Sequence, residues 1–261
     1  MYKAYLIDLD GTAYHGTEVV KETLGFVKKL HEKKIPYLFL TNNSTKTPAM
    51  VAAHLSEFGY LVTPQQVYTS AMATAEYISD ETPGANVYMI GEAGLKEALA
   101  NKGLTLVEKG TAADYVAIGL DKEITYEKLG EACFGVRNGA KLIVTNGDKA
   151  IPTERGLMPG NGSLAAVVST STGVEPTFIG KPNATIMKKA LKLLGLPASE
   201  VAVIGDNYHT DIMGGINEGM PCIFIEGGVS SREEVLSYEK QPTHVLKDLS
   251  EWILEDLGKT S

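Results

Sequence analysis

The chain has 261 residues, enough for one or two domains with a core that needs neither disulfides nor a structural metal. Apolar residues make up 44% and charged residues 21%, the balance of an ordinary globular protein rather than a disordered or membrane-embedded one. The net charge of −8 argues against a nucleic-acid polymer as partner, which needs a basic face to replace phosphate counterions, but it leaves room for a small anion in a cleft whose field is set locally.

The first apolar run, Ala4 to Ile7, ends at Asp8. It is too short for a secretory core or a membrane span, so no membrane association and a cytoplasmic location are expected. Cys133 and Cys222 lie far apart outside any CxxC or CxxH pattern and read as small core side chains in a reducing compartment.

Lys3 to Ile7 reads as the first strand, followed by a loop through Gly11 and Gly16 and a helix from Val19 to Lys33. Leu24, Val27 and Leu30 recur there at helical spacing, with lysines on the opposite face. Pro36 stops the helix, and Tyr37 to Leu40 is the second strand. Thr47-Pro48 opens a helix that ends at Gly59. Val67 to Thr69 reads as a short strand and Met72 to Ser79 as a helix. The turn cluster Glu81-Thr82-Pro83-Gly84 marks a domain boundary. Strands at Asn86 to Ile90, Tyr115 to Ile118 and Leu142 to Thr145 follow, with helices near Gly94 to Asn101, Thr125 to Asn138 and Gly160 to Thr172. Thr177 to Ile179 is another strand.

From Lys181 the first rhythm resumes. Asn183 opens a helix that runs to Leu194 and closes at Gly195. Val201 to Ile204 is a fully apolar strand, Thr210 to Glu218 a short helix, and Cys222 to Ile225 a strand. A last helix is expected over Leu246 to Leu257, with Trp252 as a packing residue. The alternation predicts an α/β protein: a Rossmann-like parallel-sheet core at residues 1–81 and 177–261, interrupted by an inserted α/β domain at 82–176.

Polar clusters follow apolar strands at Asp8 and Asp10, at Thr41, Asn42 and Asn43, at Lys181, and at Asp206 and Asp211. In open parallel sheets the ligand crevice lies at the carboxyl ends of the strands, so these groups are expected to converge. Two carboxylates as close as about 4 Å repel by about 4 kcal/mol at an effective dielectric near 20, so such a pair shares a proton or holds a cation. Four acids (Asp8, Asp10, Asp206 and Asp211) in one crevice require a divalent metal, and an all-oxygen set favours Mg²⁺. Thr41, Asn42 and Asn43 precede a helix and offer hydroxyl and N–H donors to an anion, and the Lys181 ammonium reaches from a strand end into the same crevice.

These residues resemble the motifs of the haloacid dehalogenase superfamily of phosphotransferases. Asp8-Leu9-Asp10-Gly11-Thr12 is similar to the first motif, Thr41 to the second, Lys181 to the third, and Gly205-Asp206-Asn207 through Asp211 to the fourth. The long insert is similar to the cap of the NagD-like, 4-nitrophenylphosphatase-type subgroup. Thr145-Asn146-Gly147-Asp148, Pro159-Gly160-Asn161-Gly162 and Gly180-Lys181-Pro182-Asn183 carry that likeness, with Gly147 where many relatives have proline. The resemblance implies a phosphatase of small phosphate monoesters (nucleotide, sugar or aryl phosphates) in which Asp8 forms an aspartyl-phosphate. Asp10 would protonate the leaving oxygen and then deprotonate water. Asp8, the Asp10 carbonyl and Asp206 would hold Mg²⁺, while Asp211 orients a metal water or Lys181. Thr41, Asn42, Asn43, Lys181 and Asn183 would hold the substrate, and a closing cap would exclude water.

Asn146, Asp148, Glu154 and Arg155 lie in cap loops that face such a crevice or solvent, and His209 sits inside the fourth motif. His15, His31, His54 and His244 show no ligand spacing and read as structural or solvated. A small phosphorylated metabolite is the expected partner, with a homodimer or higher homo-oligomer open. The alternatives are a non-enzymatic phospho-accepting or phosphate-binding switch and an idle binding protein on the same fold. A switch has no use for an acid beside its phosphorylated aspartate, so Asp10 discriminates between them.

Overall fold

Strand and helix alternate along most of the chain in a computed structural model that describes residues 2–153 and 155–254. β1 (Ala4–Ile7) leads into the hairpin β2 (Tyr14–His15) and β3 (Glu18–Val19), then α1 (Lys21–Glu32), β4 (Tyr37–Thr41), α2 (Pro48–Glu57), β5 (Val67–Thr69) and α3 (Ser70–Glu81). Next come β6 (Asn86–Ile90), α4 (Ala93–Asn101), β7 (Thr105–Val107), β8 (Tyr115–Ile118), α5 (Tyr126–Arg137) and β9 (Lys141–Val144). The hairpin β10 (Ala150–Thr153) and β11 (Gly156–Pro159), α6 (Asn161–Thr172) and β12 (Thr177–Phe178) follow. Then come α7 (Ala184–Leu194), β13 (Val201–Gly205), α8 (Met213–Asn217), β14 (Cys222–Ile225), α9 (Arg232–Ser237) and β15 (His244–Leu246).

The chain forms two units. The first holds the residues up to Thr41, Val51–Tyr68 and the chain from Lys181; the second holds Asn42–Met50 and Thr69–Gly180. In the first, one sheet runs in the order β15-β14-β13-β1-β4-β5. β1 pairs in parallel with both β13 and β4, and β13 with β14. β1 and β13 are buried along their whole length, as strands covered on both faces must be. Strand order reverses between β1 and β13, which makes their carboxyl ends the switch point of the sheet. Asp8 leaves β1 and Asp206 leaves β13, so neighbouring strands deliver both carboxylates to one place. α1 seats Phe26, Val27 and Leu30 on this sheet, where Phe26 meets Tyr5 edge-on at 5.2 Å. Packing of that one apolar stripe, rather than propensity, holds the helix.

The second unit carries a five-stranded sheet, β12-β9-β8-β6-β7, parallel in every pair. Its core includes Ile90, Val116, Ile118 and Val144, with Ala132 and Val136 from α5 and Ala165 and Val168 from α6. Thr125 caps α5 by accepting the Lys128 amide at 3.2 Å. Thr69 caps α3 in the same way and starts it at Ser70, two residues before the apolar pattern suggests.

Several short elements differ from expectation. Val19 lies in the β2–β3 hairpin instead of α1, because Gly16 turns the chain back at φ +57°. The expected helix over Thr210 to Glu218 splits into a wide π-type turn, Tyr208–Ile212, and the short α8. The expected tail helix does not form within the described residues. Val245 and Leu246 instead pair with Phe224 and Ile225 of β14, and Asp248 caps one 3₁₀ turn by accepting the Ser250 amide at 2.8 Å. Pairing with a buried strand outweighs the helical spacing there; residues beyond 254 lie outside the described chain. Trp252 is a packing residue, stacked on Tyr2 and donating its indole N–H to the Tyr5 hydroxyl at 3.1 Å. No helix among the described residues is long and apolar enough to cross a membrane.

Candidate active site

Asp8 is the first residue past β1, and its amide donates to the Ile204 carbonyl at 2.9 Å. The Lys181 ammonium lies 2.5 Å from Asp8 Oδ1 and 2.6 Å from Asp211 Oδ1, and donates to the Leu40 carbonyl at 3.0 Å. Lys181 is 4% exposed, so this charge is held out of bulk water. It does not arrive from a strand end of this sheet, as the sequence suggested. β12 pairs with β9 in the other sheet, and Lys181 stands at the entry to α7. Asp211 sits in the π-type turn, and its Oδ2 accepts the Asn207 amide at 3.2 Å.

Asp206 is fully buried. Its Oδ1 accepts the Thr12 hydroxyl at 2.8 Å and its Oδ2 accepts the Val229 amide at 2.8 Å. Two loops close on this carboxylate because glycine allows it. A Cβ on Gly11, whose φ is +93°, would lie 2.4 Å from Asp206 Oδ2, and one on Gly228 would lie 1.8 Å away. Thus Gly11 and Thr12, the two residues that follow Asp10, serve Asp206, distant in sequence.

Oxygens of Asp8, Asp206 and Asp211 lie within 4.8 Å of one another. Burial pushes the Asp8 carboxyl well above the usual carboxylate range; the Asp211 charge adds to this, and Lys181 offsets only part. Asp211 is raised by burial, with the Lys181 ammonium lowering it and the Asp206 charge raising it again. Burial alone would lower Lys181, but the Asp211 and Asp8 carboxylates outweigh it and hold the ammonium above its ordinary value. Three carboxylates face one ammonium here, which leaves two negative charges uncompensated when all are ionised. An all-oxygen donor set with that deficit fits a hard divalent cation. The Asp10 carboxylate is not part of the cluster, and its residue is exposed.

The chain has known counterparts. A haloacid dehalogenase-like hydrolase model matches residues 5–105, and a HAD-hydrolase-like model matches residues 178–252. The chain belongs to the haloacid dehalogenase-like hydrolases. It is 51% identical over 252 residues to the 5'-nucleotidase YutF of Bacillus subtilis (strain 168), covering 97% of this chain and 98% of that one. It is 55% identical over 254 residues to the acid sugar phosphatase of Staphylococcus aureus (strain USA300), with 97% and 98% covered. The crystal structure of a double-mutant thermostable NPPase from Geobacillus stearothermophilus superposes with a TM-score of 0.91 at 50% identity, covering 97% of this chain and 98% of that one. A more distant structure is the glycerol phosphate phosphatase Rv1692 of Mycobacterium tuberculosis in complex with magnesium, with a TM-score of 0.89 at 34% identity, covering 95% and 75%. The protein is accordingly a phosphoric monoester hydrolase, and these relatives agree with the resemblance to the NagD-like subgroup.

In this hydrolase Thr41 closes β4 and is buried. Asn183 occupies the N-cap position of α7 without a side-chain bond to its first turn. Asn42 and Asn43 fall in the second unit. Asn43 Oδ1 accepts both the amide and the hydroxyl of Thr45 at 2.8 Å, and the Asn42 carbonyl accepts Ser70 Oγ at 2.6 Å and Asn146 Nδ2 at 2.8 Å. Asn146 Oδ1 in turn accepts the Asp148 amide at 3.1 Å. Arg155 is exposed at the turn of the β10–β11 hairpin, and Glu154 lies outside the described residues. His209 is exposed with its Nε2 3.1 Å from the Tyr238 hydroxyl. His15 and His31 are exposed, His244 meets the Tyr2 hydroxyl at 2.8 Å, and His54 packs on Tyr14 and Phe58. Cys133 and Cys222 are buried and unbridged. Sequence reading missed Val229, whose contribution is an amide; the Gly227-Gly228 pair after β14 was the available signal.

Proposed function

We propose that the hydrolase moves the phosphoryl group of small phosphate monoesters first to Asp8 and then to water, and that it does so with Mg²⁺. The observation that carries this reading is the cluster of Asp8, Asp206 and Asp211 around a single buried Lys181. An Asp8 oxygen attacks phosphorus in line, forming an O–P bond as the bond to the leaving oxygen breaks. Asp10 gives its proton to that leaving oxygen. It then takes one from the water that attacks the aspartyl-phosphate, releasing inorganic phosphate and restoring Asp8. The Lys181 ammonium and the Thr41 hydroxyl stabilise the equatorial phosphoryl oxygens as charge shifts between them. Asp8, Asp206 and the Asp10 carbonyl would hold the magnesium ion, which when bound neutralises phosphoryl charge and keeps Asp8 ionised. Asp211 accepts the Lys181 ammonium on Oδ1 and the Asn207 amide on Oδ2, and in this reading it positions the lysine. The names of the relatives point to nucleoside monophosphates, sugar phosphates and aryl phosphates as the substrate class.

Phosphate release from one member of each ester class, scored by kcat/KM, tests the reading. Activity is expected with MgCl2, lost in EDTA and restored by Mg²⁺; full activity in EDTA contradicts it. The same ion should stabilise the fold in a pH-dependent way. Asp8 and Asp211 hold protons more tightly in the folded state than in the unfolded chain. The metal-free fold therefore loses their contribution as pH rises from the ordinary carboxylate range through the raised values. Protons also compete with the cation, so the rise in Tm on adding Mg²⁺ should grow between about pH 5 and about pH 8. A rise independent of pH would show that the Asp8 carboxyl does not bind the ion.

A further inference from the structure

The Asp206 carboxylate takes one of its hydrogen bonds from a loop with little of its own to hold it still. Its Oδ2 accepts the Val229 amide at 2.8 Å. Yet Val229 is 69% exposed, and Gly227 and Gly228 before it are exposed as well, with Gly227 at φ +105°. A glycine-containing surface segment gives up much conformational freedom when it is held in one place, so an amide within it is a fixed donor only if something pins the loop.

Ser230 pins it. This residue is buried, 4% exposed, between exposed residues on either side. Its amide donates to the Asp206 carbonyl at 3.2 Å, and its Oγ accepts the Tyr208 amide at 3.0 Å. Three successive amides open the π-type turn that carries Asp211. The Asn207 amide donates to Asp211 Oδ2 at 3.2 Å and the His209 amide to Asn207 Oδ1 at 3.0 Å, both within the turn's own segment. The Tyr208 amide between them is received from outside, by Ser230 in the loop after β14. A buried amide without an acceptor is costly, so the hydroxyl holds turn and loop to each other. We propose that Ser230 is a positioning residue for the cation. By tying the loop to the Asp206–Tyr208 segment it keeps the Val229 amide on Asp206 Oδ2. That bond, with the Thr12 hydroxyl on Oδ1, fixes the orientation in which the carboxylate meets the ion. This rests on the reading of Asp206 as a magnesium ligand.

Ser230→Ala keeps the backbone and removes the acceptor. Isothermal titration calorimetry with MgCl2 should give a Kd about tenfold weaker than the parent's. At saturating MgCl2 the kcat on 4-nitrophenyl phosphate should stay within about threefold, because the reacting groups are untouched. Ser231→Ala is the control for a merely structural effect. The Ser231 hydroxyl caps α9 by accepting the Glu234 amide at 3.1 Å, so this change weakens the same loop through another bond. Its Kd should stay within about twofold of the parent's. An unchanged Kd in Ser230→Ala, or an equal loss in Ser231→Ala, overturns the proposal. Amide exchange of the parent protein in EDTA, read by NMR, needs no variant. The Val229 and Tyr208 amides should already exchange slowly there. Protection that comes only with Mg²⁺ would mean that the ion orders the loop, and overturns the proposal too. Asp206→Asn in the same titration separates the two levels. Loss of binding in Asp206→Asn with an unchanged Kd in Ser230→Ala rejects Ser230 alone. Binding as tight as the parent's in Asp206→Asn rejects Asp206 as a ligand, and the role of Ser230 with it.

Discussion

Replacing Asp8 with asparagine is expected to lower kcat by at least about 10⁴-fold on every phosphate ester, because an amide oxygen cannot take up the phosphoryl group as a carboxylate does. The same change should raise the Tm of the metal-free protein at neutral pH. Asp8 is pushed well above the usual carboxylate range by burial and by Asp211, so at neutral pH its ionised form is an unfavourable charge. Asparagine has nearly the same shape and no charge. Steady-state kinetics and thermal melts in EDTA measure both effects. Retention of more than about a hundredth of the parental kcat would reject Asp8 as the nucleophile. A lower Tm would mean that its pairing with Lys181 outweighs burial and repulsion.

Lys181→Met acts in the opposite direction on stability. The ammonium is buried and hydrogen-bonded to Asp8, Asp211 and the Leu40 carbonyl. Removing it strands two carboxylates away from water, a change worth about 3–5 kcal/mol when one partner of a buried ion pair is deleted. In a chain of this size that corresponds to a fall in Tm of roughly 10 °C. Turnover should fall by about 10³-fold, because the charge that faces the phosphoryl oxygens is gone. The two substitutions share one interaction, so they should not add. Melting of the double variant Asp8→Asn/Lys181→Met should show a smaller loss than the sum of the two single-variant shifts. An additive pair would mean that the Asp8–Lys181 contact carries no energy.

The parts of the site that are legible in the sequence are those announced by a side chain after an apolar strand. Asp8 and Asp206 follow β1 and β13, strands so uniformly apolar that their burial could be expected from pattern alone, whereas their adjacency in the sheet is seen only in the structure. Lys181 is legible as a residue but not by its route, because the two-residue β12 before it is too short to declare which sheet it joins. The Gly11-Thr12 pair reads as a motif, whereas its reason is spatial: the hydroxyl and the missing Cβ both serve Asp206, distant in sequence. The Val229 amide leaves no side-chain trace at all. Among the elements, the helices with a single apolar stripe are readable, while β2, β3, β7, β10 and β11 are short and largely exposed, so no buried apolar face marks them in the sequence. At the tail, a helical spacing was overruled by a neighbour, the open edge of β14.

Covalent capture of the phosphoryl group on Asp8 is the decisive observation. The hydrolase is mixed with excess 4-nitrophenyl phosphate and Mg²⁺, quenched in acid within milliseconds, digested, and the peptide containing Asp8-Leu9-Asp10 is read by tandem mass spectrometry. A phosphoryl group on Asp8 that disappears in the Asp8→Asn variant is the expected outcome. Rapid turnover with that peptide unmodified, or a phosphoryl group on another residue, would contradict an aspartyl-phosphate at this position.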